Sequence, residues 1–174
     1  EPMLIASTTK IMTALLALEA CDPDMTVTAR PEWTGIEGSS MYLAPGQELT
    51  VRELLYGLML ASGNDAAVAL ACLAAGSVEA FADRMNERAA ELGCENTHFS
   101  NPNGLDAEDH YSTARDLAAI TAEAIQNETF RDIVSRTSAD VGENTYYNHN
   151  KLLTSCPGVF GVKTGYTLAA GRTL

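Results

Sequence analysis

The chain has 174 residues, 46% of them hydrophobic, enough for one domain with a real core. Its formal net charge of −12 argues against a nucleic-acid binder or a protein drawn to anionic lipid. The longest apolar stretch, Ile11 to Leu18, is interrupted by Thr13 and is too short to cross a bilayer.

The chain opens at Glu1-Pro2-Met3 without a basic leader, and Gly171-Arg172-Thr173-Leu174 reads as the middle of a strand. The expectation is a piece of a longer protein. Residues 8 to 20 form an apolar run, so the helix there should be buried on nearly every face. Residues 22 to 50 read as irregular loop, punctuated by Pro23, Pro31, Gly35, Gly38, Pro45 and Gly46. Thr50-Val51-Arg52-Glu53 is a capping box, and the helix it opens is broken by Ser62-Gly63-Asn64.

A second apolar helix runs from Asp65 to about Ala75, with Gly76 placed to end it. Ser77 caps an amphipathic helix reaching Leu92, stopped by Gly93. An extended stretch and turn follow from Thr97 to Leu105. Thr113-Ala114-Arg115-Asp116 reads as another capping box, opening a helix to about Asn127. Val159 to Tyr166 is β-branched, aromatic and glycine-punctuated, so a strand is expected there. There is no internal repeat. The order is a helical region of about 130 residues and then the start of a sheet.

Three short motifs carry chemistry. In Ser7-Thr8-Thr9-Lys10 a spacing of three puts serine and lysine on one helix face. A serine hydroxyl is a weak nucleophile until a base takes its proton, and a lysine whose pKa is lowered by burial can be that base. Alone, the pattern arises by chance about once in a chain this long, and an N-cap serine with a solvated lysine is then the better explanation. Ser62-Gly63-Asn64 could be an ordinary turn between helices. In a serine-lysine mechanism it also offers a second hydroxyl for proton relay and an amide to hold a substrate. Lys163-Thr164-Gly165 offers a charge and a hydroxyl for a carboxylate, with a glycine that lets backbone approach closely.

S-x-x-K with S-D-N and K-T-G is the signature of penicillin-binding proteins and class A β-lactamases, and the three motifs here, with Ser62-Gly63-Asn64 as the second, occur in that order and context. The chain resembles the low-molecular-mass penicillin-binding proteins that are serine D-alanyl-D-alanine carboxypeptidases. The segments that carry the resemblance are ASTTKIMTALLALEA at 6–20, Gly38-Ser39-Ser40-Met41 with Leu43, and LLYGLMLASGNDAA at 54–67. Met85-Asn86 with Ala89 and Leu92-Gly93, Phe99 to Leu105, Tyr111 to Ala118 and GVKTGYT at 161–167 extend it over nearly the whole chain.

The resemblance implies an α+β fold of the β-lactamase/transpeptidase type. A helical region would pack on an antiparallel sheet, in one catalytic domain over 1–174 that lacks strands at both ends. It implies that Ser7 attacks the carbonyl between two D-alanines of a peptidoglycan stem peptide and that Lys10 takes its proton. Ser62 would return a proton to the leaving D-alanine. Asn64 would bind the peptide amide, and Lys163, Thr164 and Gly165 the carboxylate end. The N–H groups of Ser7 and Tyr166 would hold the oxyanion.

It further implies β-lactams as covalent inhibitors, no metal or other cofactor, and an extracytoplasmic site of action; any membrane association is not encoded in these residues. A β-lactamase is the nearest alternative, but no E-x-x-L-N pattern lies between the second and third motifs. A binding module that turns nothing over is the other. His98, His110 and His149 are too scattered to be ligands and read as structural or surface residues. Asp106, Glu108 and Asp109 read as a solvated turn. Tyr146, Tyr147, Asn148 and Asn150 could line a cleft or stabilise the fold.

Overall fold

The computed structural model describes residues 1–174. Everything packs around one helix. A 3₁₀ turn, Ala6–Thr9, leads straight into α1, Lys10–Ala20. Every residue from Lys10 to Ala17 is buried, as its apolar composition requires. The helices that surround it are α2 (Val51–Met59), α3 (Asn64–Ala75), α4 (Val78–Glu91), α5 (Ala114–Ala124) and α6 (Glu128–Ser135), and each of them contacts α1.

Helix boundaries follow local chemistry. Thr50 and Glu53 form the reciprocal capping box at the start of α2. Gly76 ends α3 in the left-handed conformation at φ +86°, and the Ser77 side chain caps α4. The box expected at α5 is only half made. Thr113 accepts from the Asp116 N–H, but the Asp116 carboxylate turns away to take Asn96 N–H at 3.0 Å and the Thr97 hydroxyl at 2.8 Å. Aspartate, one methylene shorter than glutamate, reaches back to the cap less easily.

The helix expected to reach Asn127 ends at Ala124. Asn127 instead caps α6, with its side chain accepting from Phe130 N–H.

The β structure is antiparallel and small: three separate two-stranded pairs. β1 (Thr26–Thr28) pairs with β2 (Glu48–Thr50), inside the region expected to be irregular. Strands of three residues are too short to show alternation in sequence. β3 (Ser138–Val141) and β4 (Asn144–Tyr147) form a hairpin. After the four-residue helix α7 (Leu152–Ser155), β5 (Gly165–Thr167) pairs with β6 (Gly171–Thr173). The strand expected over 159–166 is therefore confined to its end. Residues 159–164 have no neighbouring strand to bond, so β-favouring residues alone do not make a ladder there. The architecture is α+β with the helical part dominant.

The loop at 100–104 is bonded to the front of α1 at three points. Thr13 Oγ1 donates to Pro102 O at 2.6 Å, and Lys10 Nζ to Asn103 O at 2.5 Å. His110 ties the rest: its Nδ1 accepts Ser100 N–H at 3.1 Å, so in the neutral ring Nε2 carries the proton and donates to Thr9 Oγ1 at 2.7 Å. Burial pushes the pKa of His110 down to about 4, which keeps it in that neutral form.

Gly104 completes the packing. Its φ is +86°, and a Cβ there would lie 2.0 Å from Ala6 O and 3.0 Å from Ser7 N. Gly104→Ala should destabilise the protein by about 1 kcal/mol or more, read by chemical denaturation, because both the dihedral and the contact exclude a methyl group. Thr50→Ala, far from this loop, should cost about 1 kcal/mol by loss of the α2 cap.

Candidate active site

Lys10 is the centre of the site. It is fully buried, yet all three directions of its amino group find an acceptor. Nζ lies 3.0 Å from Ser7 Oγ, 2.8 Å from Asn64 Oδ1 and 2.5 Å from Asn103 O. Burial lowers its pKa well below that of a free lysine. Nearby Lys163 lowers it further, and Asp65 partly opposes both. A neutral amine has only two hydrogens. With those spent on Asn64 and Asn103, its lone pair faces the Ser7 hydroxyl, which is the arrangement a general base needs.

Ser7 sits in the 3₁₀ turn, half-buried at the mouth of a cleft of about 530 Å³. Ala6 before it is held at φ +47°, and Ser62 across the cleft at φ +61°. Non-glycine residues are uncommon in that region and cost about 1–3 kcal/mol each, which the surrounding contacts must offset. Ser62 and Ser39 line the same cleft. Asn64 does not reach its wall. It opens α3 behind the cleft, with Oδ1 on Lys10 and Nδ2 donating to Glu37 O at 2.6 Å.

The opposite wall is Thr164, Gly165 and Tyr166, joined by Arg172 and Thr173 of β6. Gly165 is pressed against the 3₁₀ turn that carries Ser7: a Cβ there would lie 2.8 Å from Ser7 N and 3.1 Å from Ala6 Cβ. The ends of the 3₁₀ turn and of β5 thus meet around Ser7. Lys163 is not on this wall. It is 2% exposed and lies beneath it, where Nζ donates to Thr164 O at 2.7 Å. Burial pushes its pKa down to about 7.

Of the residues singled out in sequence, Ser7, Ser62, Thr164, Gly165 and Tyr166 share the cleft, while Lys10, Asn64 and Lys163 lie just under its surface. Sequence reasoning gave no site role to four residues in or next to the cleft. Asn103 contributes a backbone carbonyl, which has no residue-type signature. Asp65 is buried behind Asn64 and follows it in the chain. His149, read as structural or surface, lines the cleft beside Asn150, and burial and Lys163 lower its pKa. Arg172 is an exposed cation on the cleft wall of an acidic chain.

Other residues are fold-stabilising. The Tyr146 hydroxyl donates to Met41 O at 2.7 Å, and Asn148 Nδ2 to Arg136 O at 3.0 Å. Asp106 is more than a solvated turn residue, since it accepts from Thr167 Oγ1 at 2.9 Å. All four cysteines are unpaired thiols.

Comparison with known proteins gives this geometry a context. DacF, a D-alanyl-D-alanine carboxypeptidase of Bacillus subtilis, is 43% identical over 177 residues, which cover 96% of this chain and 46% of DacF. DacB2, a D-alanyl-D-alanine carboxypeptidase of Mycobacterium tuberculosis, is 42% identical over 97% of this chain and 60% of its own length. The chain thus spans about half the length of the curated relatives it matches.

Among solved structures, a D-alanyl-D-alanine carboxypeptidase from Mycobacterium tuberculosis superposes with a TM-score of 0.93 at 40% identity. It covers 99% of this chain and 67% of that one. A Streptomyces DD-transpeptidase gives 0.92 at 37% identity, covering 98% and 74%. The family described as D-alanyl-D-alanine carboxypeptidase matches residues 1–174, and the chain belongs to that family.

Proposed function

We propose that the protein containing this chain is a serine D-alanyl-D-alanine carboxypeptidase that trims peptidoglycan stem peptides and is acylated by β-lactams. The observation that carries the reading is the buried Lys10 amine, 3.0 Å from Ser7 Oγ, with its other two directions occupied. Lys10 accepts the Ser7 proton as Oγ bonds to the carbonyl carbon between the two D-alanines. Negative charge develops on the carbonyl oxygen, between the N–H groups of Ser7 and Tyr166.

The C–N bond then breaks. The proton held by Lys10 passes through Ser62 to the leaving D-alanine nitrogen, and water hydrolyses the ester on Ser7. Asn64 serves chiefly to orient Lys10. Thr164 offers a hydroxyl to the terminal carboxylate, with Lys163 as the positive charge behind it. A β-lactam enters by the same attack on Ser7. The substrate lies in the cell wall, so the site of action is extracytoplasmic.

Fluorescent penicillin should label Ser7 covalently, in this chain or in a form extended at both ends to the length of its relatives. Labelling that survives Ser7→Ala would sink the assignment. Release of free D-alanine from an acyl-D-Ala-D-Ala peptide then separates carboxypeptidase from a protein that only binds.

The two lysines impose opposite pH requirements. Lys10 must be neutral to act as base, whereas Lys163 must be charged to attract a carboxylate. Peptide hydrolysis (kcat/KM) should therefore be bell-shaped in pH. Its alkaline limb should start near the Lys163 value of about 7, moved upward to the extent that bound carboxylate stabilises the ammonium.

The same depression has a stability consequence. The unfolded chain binds the Lys163 proton more tightly than the folded one, so charge burial opposes folding fully below about pH 7. That cost fades as pH rises toward the ordinary lysine value. Lys163→Met should accordingly raise stability by a few kcal/mol at pH 6, and by less at pH 9.5, while weakening peptide binding (denaturation at the two pH values; KM).

A further inference from the structure

Asp65 follows the asparagine that holds Lys10, and nothing in the chemistry above uses it. It is 1% exposed and every acceptor position is taken. Oδ1 accepts Met41 N–H at 3.0 Å and Ala66 N–H at 2.9 Å. Oδ2 accepts the Ser40 hydroxyl at 2.6 Å and Leu43 N–H at 3.0 Å. Only the bond to Ala66 serves the start of α3. The other three belong to one loop, residues 40–43, which is wrapped around the carboxylate. Tyr42, between two of these donors, is turned out into solvent at φ +62°.

The same loop fixes Asn64 a few residues earlier. Ser39 O accepts Asn64 N–H at 2.7 Å, and Glu37 O accepts Asn64 Nδ2 at 2.6 Å. Between them Gly38, at φ +91°, comes so close that a Cβ would lie 2.7 Å from Asn64 Nδ2. With Nδ2 held by Glu37 O, the amide can present only Oδ1 to Lys10. A flipped amide would aim its own hydrogens at the N–H that Lys10 directs to Asn64. The contacts thus run from Asp65 to the 37–43 loop, from the loop to Asn64, and from Asn64 to Lys10.

We propose that Asp65 is a positioning residue for the Lys10 base. Its carboxylate shapes the 37–43 loop so that Asn64 Oδ1 is aimed at Nζ, and it places a buried negative charge next to that pair. The inference rests on the Ser7–Lys10 reading above. The charge gives Asp65 a signature that plain scaffolding lacks. Lys10 feels Lys163 from the chain before β5 and Asp65 from α3; its own charge acts on His110 in the loop before α5, and Tyr146 on β4 feels Asp65. Of these only the Asp65 carboxylate holds the Lys10 pKa up. An uncharged replacement of the same shape lets it fall further. The neutral base then persists to lower pH, and the acid limb of acylation moves down in pH.

The test is the rate constant for acylation by fluorescent penicillin, measured from about pH 5 to about pH 9 in wild type, Asp65→Asn and Ser40→Ala. Asp65→Asn should acylate roughly 10- to 100-fold more slowly on its plateau, because the base is misplaced, with the acid limb at lower pH. Ser40→Ala loosens the loop but keeps the charge, so it should slow acylation without lowering the limb. An Asp65→Asn protein within about twofold of wild type, or one whose limb stays in place, overturns the proposal. If Asp65→Asn fails to fold, Ser40→Ala decides, and a wild-type rate there overturns it. An unlabelled wild type sinks the Ser7–Lys10 reading and this inference with it, whereas a labelled wild type with a normal Asp65→Asn sinks this inference alone.

Discussion

Burying a lysine amine is costly unless every hydrogen it carries finds an acceptor. Lys10 meets that condition with Asn64 Oδ1 of α3 and the Asn103 carbonyl of the 100–104 loop, while Ser7 Oγ occupies its third direction. Much of the surrounding architecture serves those acceptors. The 100–104 loop is held by Thr13 and His110, and Gly104 presses it onto the 3₁₀ turn that carries Ser7. Asn64 is oriented by the 37–43 loop. The apolar packing of α1 provides the low-dielectric setting that lowers the lysine's pKa.

Two kinds of information were available in the sequence to different degrees. The buried α1, the capping box at Thr50, the Gly76 stop and the Ser77 cap were all readable, because each follows from side-chain chemistry within a few residues. The short strand pairs and α6 were not. Their signals are three or four residues long, or depend on a partner far along the chain, as Thr26–Thr28 depends on Glu48–Thr50. The Asp116 carboxylate shows the same limit, since its partners Asn96 and Thr97 drew it from the expected cap.

For the site, motif residues were legible as a set. Their division into cleft-lining and buried members was not. Lys163 reads in sequence as a cation offered to a ligand, but it is buried beneath Thr164, with Nζ on the Thr164 carbonyl. Asn103 was invisible as a participant because its contribution is a carbonyl, identical in every residue type. His149 and Arg172 reach the cleft through the path of the backbone, which no local pattern specifies.

The Lys10 acceptors also order events in time. Asn64 lies 54 positions downstream and Asn103 lies 93, so both contacts close long loops. Such contacts are slow to form because loop entropy is lost before they repay it. A growing chain that has not yet reached Asn103 holds at position 10 an ordinary, incompletely satisfied lysine. The full set of acceptors around Lys10, beside Ser7, is therefore withheld from early folding intermediates and arrives only with the nearly complete helical core.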